Sequence, residues 1–244
     1  YLINELSQIK NTDLKTFYTE FYTQSYSNSN AQAKVLKALA NKEDDSATEL
    51  MLNLMSTDLP LIANQYQINS IFRPYNDSLH LAKKLFPEIL EYSAIEEYKS
   101  PIFSLLARLK SNKIVKNKVY KKYKKQILND AKILLKRQLG EDNDTYNKNR
   151  YLGAIQNKNS SVLEDYVSLL FPFRKEKSVA QFYTQLQMVK DADIKTTYVT
   201  LLANNNEPIP DNLLSDLAVD IQSRVLLFNK LKKILFTFRI LVVY

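Results

Sequence analysis

SPIFSLLARLKSNKIVKNKVYKKYKKQILNDAKILLKRQL, residues Ser100 to Leu139, is the stretch whose reading decides the fold. Ser100-Pro101 is a helix-start signal, because proline at the first helical position gives up an N–H that has no partner there. Ile102, Leu105, Leu106 and Leu109 follow at helical spacing and define a buried face. After a tight break, Ile114 to Leu139 reads as a long basic helix. On a wheel of about 100° per residue, Val119, Tyr120, Tyr123, Ile127, Ala131 and Leu134 share one apolar arc. Lys118, Lys121, Lys122, Lys125, Lys132 and Lys136 gather on the opposite side. A segment with this pattern is a helix with one side in a core and the other in water.

The flanking sequence repeats the theme in shorter pieces. Leu14, Phe17, Tyr18, Phe21 and Tyr22 form a helical stripe behind a Thr12 cap. Asp45 or Ser46 caps a helix carrying Ala47, Leu50, Met51 and Leu54. Pro87 falls inside the pattern from Leu81 to Tyr92 and is expected to kink or split that helix. Only Gly140 and Gly153 are glycine in 244 residues. Sheets and tight hairpins draw on glycine for positive φ, so the expected class is all-α, with roughly 13–14 helices. Gly140 followed by Glu-Asp-Asn-Asp reads as a helix stop and divides the chain into 1–139 and 140–244, two sets of hairpins in one continuous stack. Lys42–Pro60 can be laid on Lys190–Pro208 at a constant offset, with Asp45/Asp193, Thr48/Thr196, Leu54/Leu202 and Pro60/Pro208 coinciding. Continuous hairpins with an internal match predict an α-solenoid.

Several chemistries are excluded. With no cysteine there is no thiolate nucleophile, disulfide or cysteine-held metal. Two glycines leave no phosphate-cradling glycine loop. His80 is the single histidine and has no hydrolase or metalloprotease motif around it. Glu96-Glu97 and Asp142 with Asp144 are acidic pairs of the kind that water and lysines satisfy. Neither an enzyme site nor a cofactor is expected. The first residue is Tyr1, which suggests a piece of a longer chain with an adjoining domain and leaves the compartment, bacterial cytoplasm or exported, open. Arg224–Tyr244 is the most apolar segment, with Leu227, Leu231, Ile234, Phe238 and Leu241 on one face. Lys230, Lys232, Lys233 and Arg239 interrupt it too often for a transmembrane span.

Charge is uneven. The formal net charge is +8, yet Arg108–Gln138 alone carries +11, twelve Lys and Arg against Asp130, leaving −3 elsewhere. A lysine row can contact phosphates, and nucleic acid or another anionic surface is one expected partner. The alternative is a solvated face, partly neutralised by Glu88, Glu91, Glu96 and Glu97.

The capped antiparallel hairpins resemble HEAT/ARM-like helical repeat proteins, which implies a non-catalytic scaffold with an unidentified protein partner. DSLHLAKKLFPEILEY (Asp77–Tyr92), EYKSPIFSLLARL (Glu97–Leu109) and YKKYKKQILNDAKILLKRQL (Tyr120–Leu139) also look like the helical region that follows the enzyme-like domain of some bacterial TraB/GumN-family proteins. That resemblance implies an accessory region of a larger, hydrolase-like protein. The family's glycine- and histidine-containing motifs have no counterpart here, so no catalytic residue carries over.

Overall fold

The computed structural model describes residues 14–61, 65–76, 78–86, 88–144, 158–219 and 221–242, with Ile3 and Glu5. Among them are thirteen α-helices and no strand, the all-α class that the scarcity of glycine predicts. The chain packs as two compact units, Tyr1–Lys122 and Tyr123–Tyr244. The first holds α1 (Lys15–Gln24), α2 (Ser29–Ala40), α3 (Asp45–Thr57), α4 (Gln65–Phe72), α5 (Leu79–Leu85), α6 (Glu96–Ser111) and α7 (Asn117–Tyr120). The second holds α8 (Lys124–Asp144), α9 (Lys158–Leu170), α10 (Lys177–Leu186), α11 (Ala192–Asn204), α12 (Asp211–Val219) and α13 (Ile221–Val242). Short 3₁₀ turns occupy Arg73–Asn76, Glu88–Ala94, Lys121–Tyr123 and Phe171–Phe173.

Connections of a few residues, such as 25–28 and 41–44, make consecutive helices antiparallel neighbours. In the first unit alternate helices then pack in two rows, α1 on α3 on α5 and α2 on α4 on α6. In the second unit α8, α9, α11 and α13 pack in sequence, with α12 lying against both α11 and α13. The core of each unit is apolar and rich in tyrosine. Leu36, Met51, Ile68, Leu85, Tyr98 and Leu106 are fully buried in the first, and Val167, Val179, Phe182 and Val199 in the second.

Asn28 and Asp191 cap α2 and α11, each side chain accepting from backbone N–H groups at 2.9–3.1 Å. Asp44, one residue before the expected pair, caps α3 through the N–H of Ala47 at 2.6 Å. The Thr12 cap lies outside the described residues. Phe86 is extended (φ −98°, ψ 136°), as the residue before a proline should be, and α5 stops there. The helix expected through Tyr92 is therefore split.

Three expectations need correction. Pro101 does not start α6, which begins at Glu96 with Ile95 extended and two acids in its first turn, where the helix dipole favours negative charge. Pro101 instead sits buried within the helix, where it cannot donate to the Glu97 carbonyl and its ring crowds that group, and the adjoining buried face of Ile102, Phe103, Leu105, Leu106 and Leu109 offsets the cost. Gly140 does not end a helix either, since α8 continues to Asp144. A glycine inside a helix costs only about 1 kcal/mol relative to alanine, which the packing of α8 on α9 and α10 offsets. The expected long basic helix is interrupted by the 3₁₀ turn at Lys121–Tyr123, and the two units divide within that turn rather than at Gly140.

Helix endings explain how a chain manages with so little glycine. After α6, the N–H of Lys113 bonds to the Lys110 carbonyl (2.9 Å) and that of Ile114 to the Leu109 carbonyl (2.9 Å), with Lys113 at φ 60°. After α11, Asn206 bonds to Ala203 (3.1 Å) and Glu207 to Leu202 (3.0 Å), with Asn206 at φ 53°. Both are Schellman motifs in which lysine or asparagine holds the left-handed position that glycine usually takes. The lysine costs about 1 kcal/mol more there than glycine would.

Candidate functional site: a lysine face

The six lysines that the helical wheel gathered are all exposed. Lys118 projects from α7 and Lys121 and Lys122 from the following turn, in the first unit. Lys125, Lys132 and Lys136 project from α8, in the second. The α8 set recurs at i, i+7 and i+11, so one helix face carries three positive charges about 6 to 10 Å apart along its axis. The opposite side is apolar: Ile127, Leu128, Ala131 and Leu135 are buried in the second unit's core.

The tyrosines do not join the lysines. Tyr120 is fully buried in the first unit, and its hydroxyl donates to Asn117 Oδ1 at 3.0 Å. Burial alone holds its phenol pKa well above the usual value. The Tyr120 ring is therefore not open to a stacking base. Tyr123 is half-buried.

Lys122 lies 3.7 Å from Glu91, with both side chains largely in water. Glu96 turns to Lys99 at 2.6 Å. Lys124, adjacent in sequence but outside the face, pairs with Glu176 and sits 5.3 Å from the Phe173 ring centre, tying α8 to the segment before α10. Lys110, also in the basic stretch, belongs to the last turn of α6, where loss of hydration pushes its pKa down to about 8.

His80 is exposed on α5, and among the described residues no three metal-ligating side chains converge. The side chains of Asp142 and Asp144 lie outside the described residues. Nor is any described helix long and apolar enough to cross a membrane.

Three polar arrangements escaped the sequence reading because each joins residues remote in the chain. Asp58-Leu59-Pro60, after α3, is held from three helices. Tyr22 of α1 donates its hydroxyl to the Asp58 carbonyl, Gln32 of α2 donates to Asp58 Oδ2 at 2.6 Å, and Tyr98 of α6 donates to the Pro60 carbonyl at 2.8 Å. In the second unit Arg174 makes a two-pronged pair with Glu207 and stacks 4.3 Å from the Phe171 ring centre. Glu164 of α9 accepts from Thr197 of α11 at 2.6 Å, with Lys230 of α13 at 4.0 Å. Loss of hydration raises the Glu164 pKa despite both partners.

No protein-family model, curated protein or solved structure matches the chain.

Proposed function

We propose that this chain is a non-catalytic interaction module of a larger protein, built as a HEAT/ARM-like α-solenoid that presents a row of helices to a protein partner. The observation that carries this reading is the packing of alternate helices on one another within each unit. A second observation supports it. Thr48 and Thr196, which coincide in the internal match, are both buried, and each donates its hydroxyl to the carbonyl four residues back, at 2.9 and 2.6 Å. Leu54 and Leu202 are likewise both buried. A photo-crosslinking residue placed at the exposed positions Lys34, Lys37 and Tyr66 of α2 and α4 in the intact protein tests the reading. A discrete protein adduct is expected. Adducts only of nucleic acid or lipid, or none at any position, would overturn it.

A second reading is favoured by the exposure of Lys125, Lys132 and Lys136 on one side of α8: that helix face binds a polyanion such as single-stranded nucleic acid. Changing Lys125, Lys132 and Lys136 together to glutamate is then expected to weaken binding to a labelled oligonucleotide at least about tenfold at low salt. The slope of log affinity against log salt should fall by about two, near 0.7 for each phosphate no longer neutralised. Unchanged affinity and slope would remove this reading while leaving the first intact.

A further inference from the structure

The last described helix carries a surface that periodicity alone did not reveal. One side of α13 packs on α11 and α12 through buried Ser223 and half-buried Leu226, Leu227 and Lys230. On the reverse side Ile221, Val225 and Phe228, spaced i, i+4 and i+7, are 68%, 54% and 63% exposed. Large apolar side chains aligned on one helix face and left in water mark an interaction surface rather than scattered exposure. The charge around the stripe says which kind. Between Ile221 and Tyr244 there are five basic residues, Arg224, Lys230, Lys232, Lys233 and Arg239, and no Asp or Glu. Arg224 and Lys232 are exposed, and the Lys232 ammonium lies 5.9 Å from the Phe228 ring centre, so a cation borders the stripe itself.

We infer that the outer face of α13 docks on an anionic phospholipid bilayer, lying in the interface with Ile221, Val225 and Phe228 among the acyl-chain ends and Arg224 and Lys232 at the headgroups. Apolar side chains flanked by cations, on a helix too interrupted by charge to span, are the features of an interfacial helix. A protein groove would meet the apolar stripe equally well. Arg224 and Lys232, exposed beside the stripe in a segment that carries no Asp or Glu, are however complementary to a continuous anionic layer, where each basic group near the surface strengthens attachment. This site is separate from the lysine face and rests on neither reading above.

The test is co-sedimentation of the intact chain with vesicles of phosphatidylcholine alone or with about 30% phosphatidylserine, at about 0.1 M and about 0.5 M salt. Binding is expected on the anionic vesicles, at least about tenfold weaker at the higher salt and on neutral vesicles. I221S/V225S/F228S and R224E/K232E should each lower partitioning at least about tenfold while retaining the helical circular-dichroism signal, because all five positions face water. K125E/K132E/K136E should bind vesicles as the parent does. Equal binding to neutral and anionic vesicles, no binding, or undiminished binding by the serine variant would overturn the inference. So would light scattering that shows the parent as a dimer and the serine variant as a monomer, since the stripe would then belong to a second copy.

Discussion

Tyr98→Ala is expected to destabilise the first unit by about 4 kcal/mol, and Tyr98→Phe by about 1 to 2 kcal/mol, in urea unfolding followed by circular dichroism. Tyr98 has no exposed surface, so alanine leaves a ring-sized cavity between α6 and the segment after α3. Phenylalanine fills that space but leaves the Pro60 carbonyl without its donor. The pair of variants separates the packing contribution from the hydrogen bond. The phenol pKa values of Tyr98 and Tyr22 are both raised, burial being the main cause, so the folded protein keeps these hydroxyls protonated after the unfolded chain has begun to lose its own, near pH 10. With more protons bound in the folded state, stability is fully present below that range and falls as pH rises through it. Tyr98→Phe should flatten that fall. A tyrosine-to-phenylalanine change with no effect on either stability or its alkaline slope would show that the hydroxyl does not hold the Asp58–Pro60 segment.

Asp216→Ala is expected to cost the second unit about 2 kcal/mol, more than its own half-exposed position suggests. Its partner Lys195 is 7% exposed and reaches from α11 to pair with Asp216 on α12, so removing the acid leaves an ammonium desolvated without its counter-charge. Lys195→Met should cost less than about 1 kcal/mol, because its thioether chain occupies much of the same space without a charge to satisfy. The double variant should then lie close to Lys195→Met alone rather than at the sum of the two. Additive costs in this cycle would place the contribution of Asp216 elsewhere in α12.

The all-helical class was legible because two independent signals agreed: too little glycine for sheets and hairpins, and apolar residues returning every three or four positions. The exposure of Lys125, Lys132 and Lys136 was legible for the same reason, since Ile127 and Ala131 fix the buried side of α8 and these lysines fall opposite. The division after Lys122 was not legible. No glycine, proline or change of composition marks it, and Tyr120 and Ile127, both buried, one in each unit, fall on a single apolar arc of the helical pattern. The start of α6 was misplaced because Ser100-Pro101 is a strong local signal that long-range burial of Tyr98 and Ile102 overrides. In α13 nearly every side of the helix carries an apolar residue, so the pattern indicated Leu227 and Leu231 as inward but gave no reason to expect Ile221, Val225 and Phe228 in water. The tyrosine hydrogen bonds to Asp58 and Pro60 span 36 and 38 residues, beyond the reach of any local pattern.

The helix stops at Lys113 and Asn206 bear on the other side of the folding equilibrium. Each holds a side chain in a backbone conformation it resists, yet each also spares the disordered chain the wide freedom that a glycine would give it. That freedom is worth about 0.4 to 1 kcal/mol per site in the unfolded ensemble. A 244-residue chain with glycine at only two positions therefore starts from a narrower set of conformations and surrenders less entropy when its helices form. Local strain at the ends of α6 and α11 is in this sense coupled to a stiffer denatured state, and the net effect on stability of introducing glycine at either stop is smaller than the relief of strain alone.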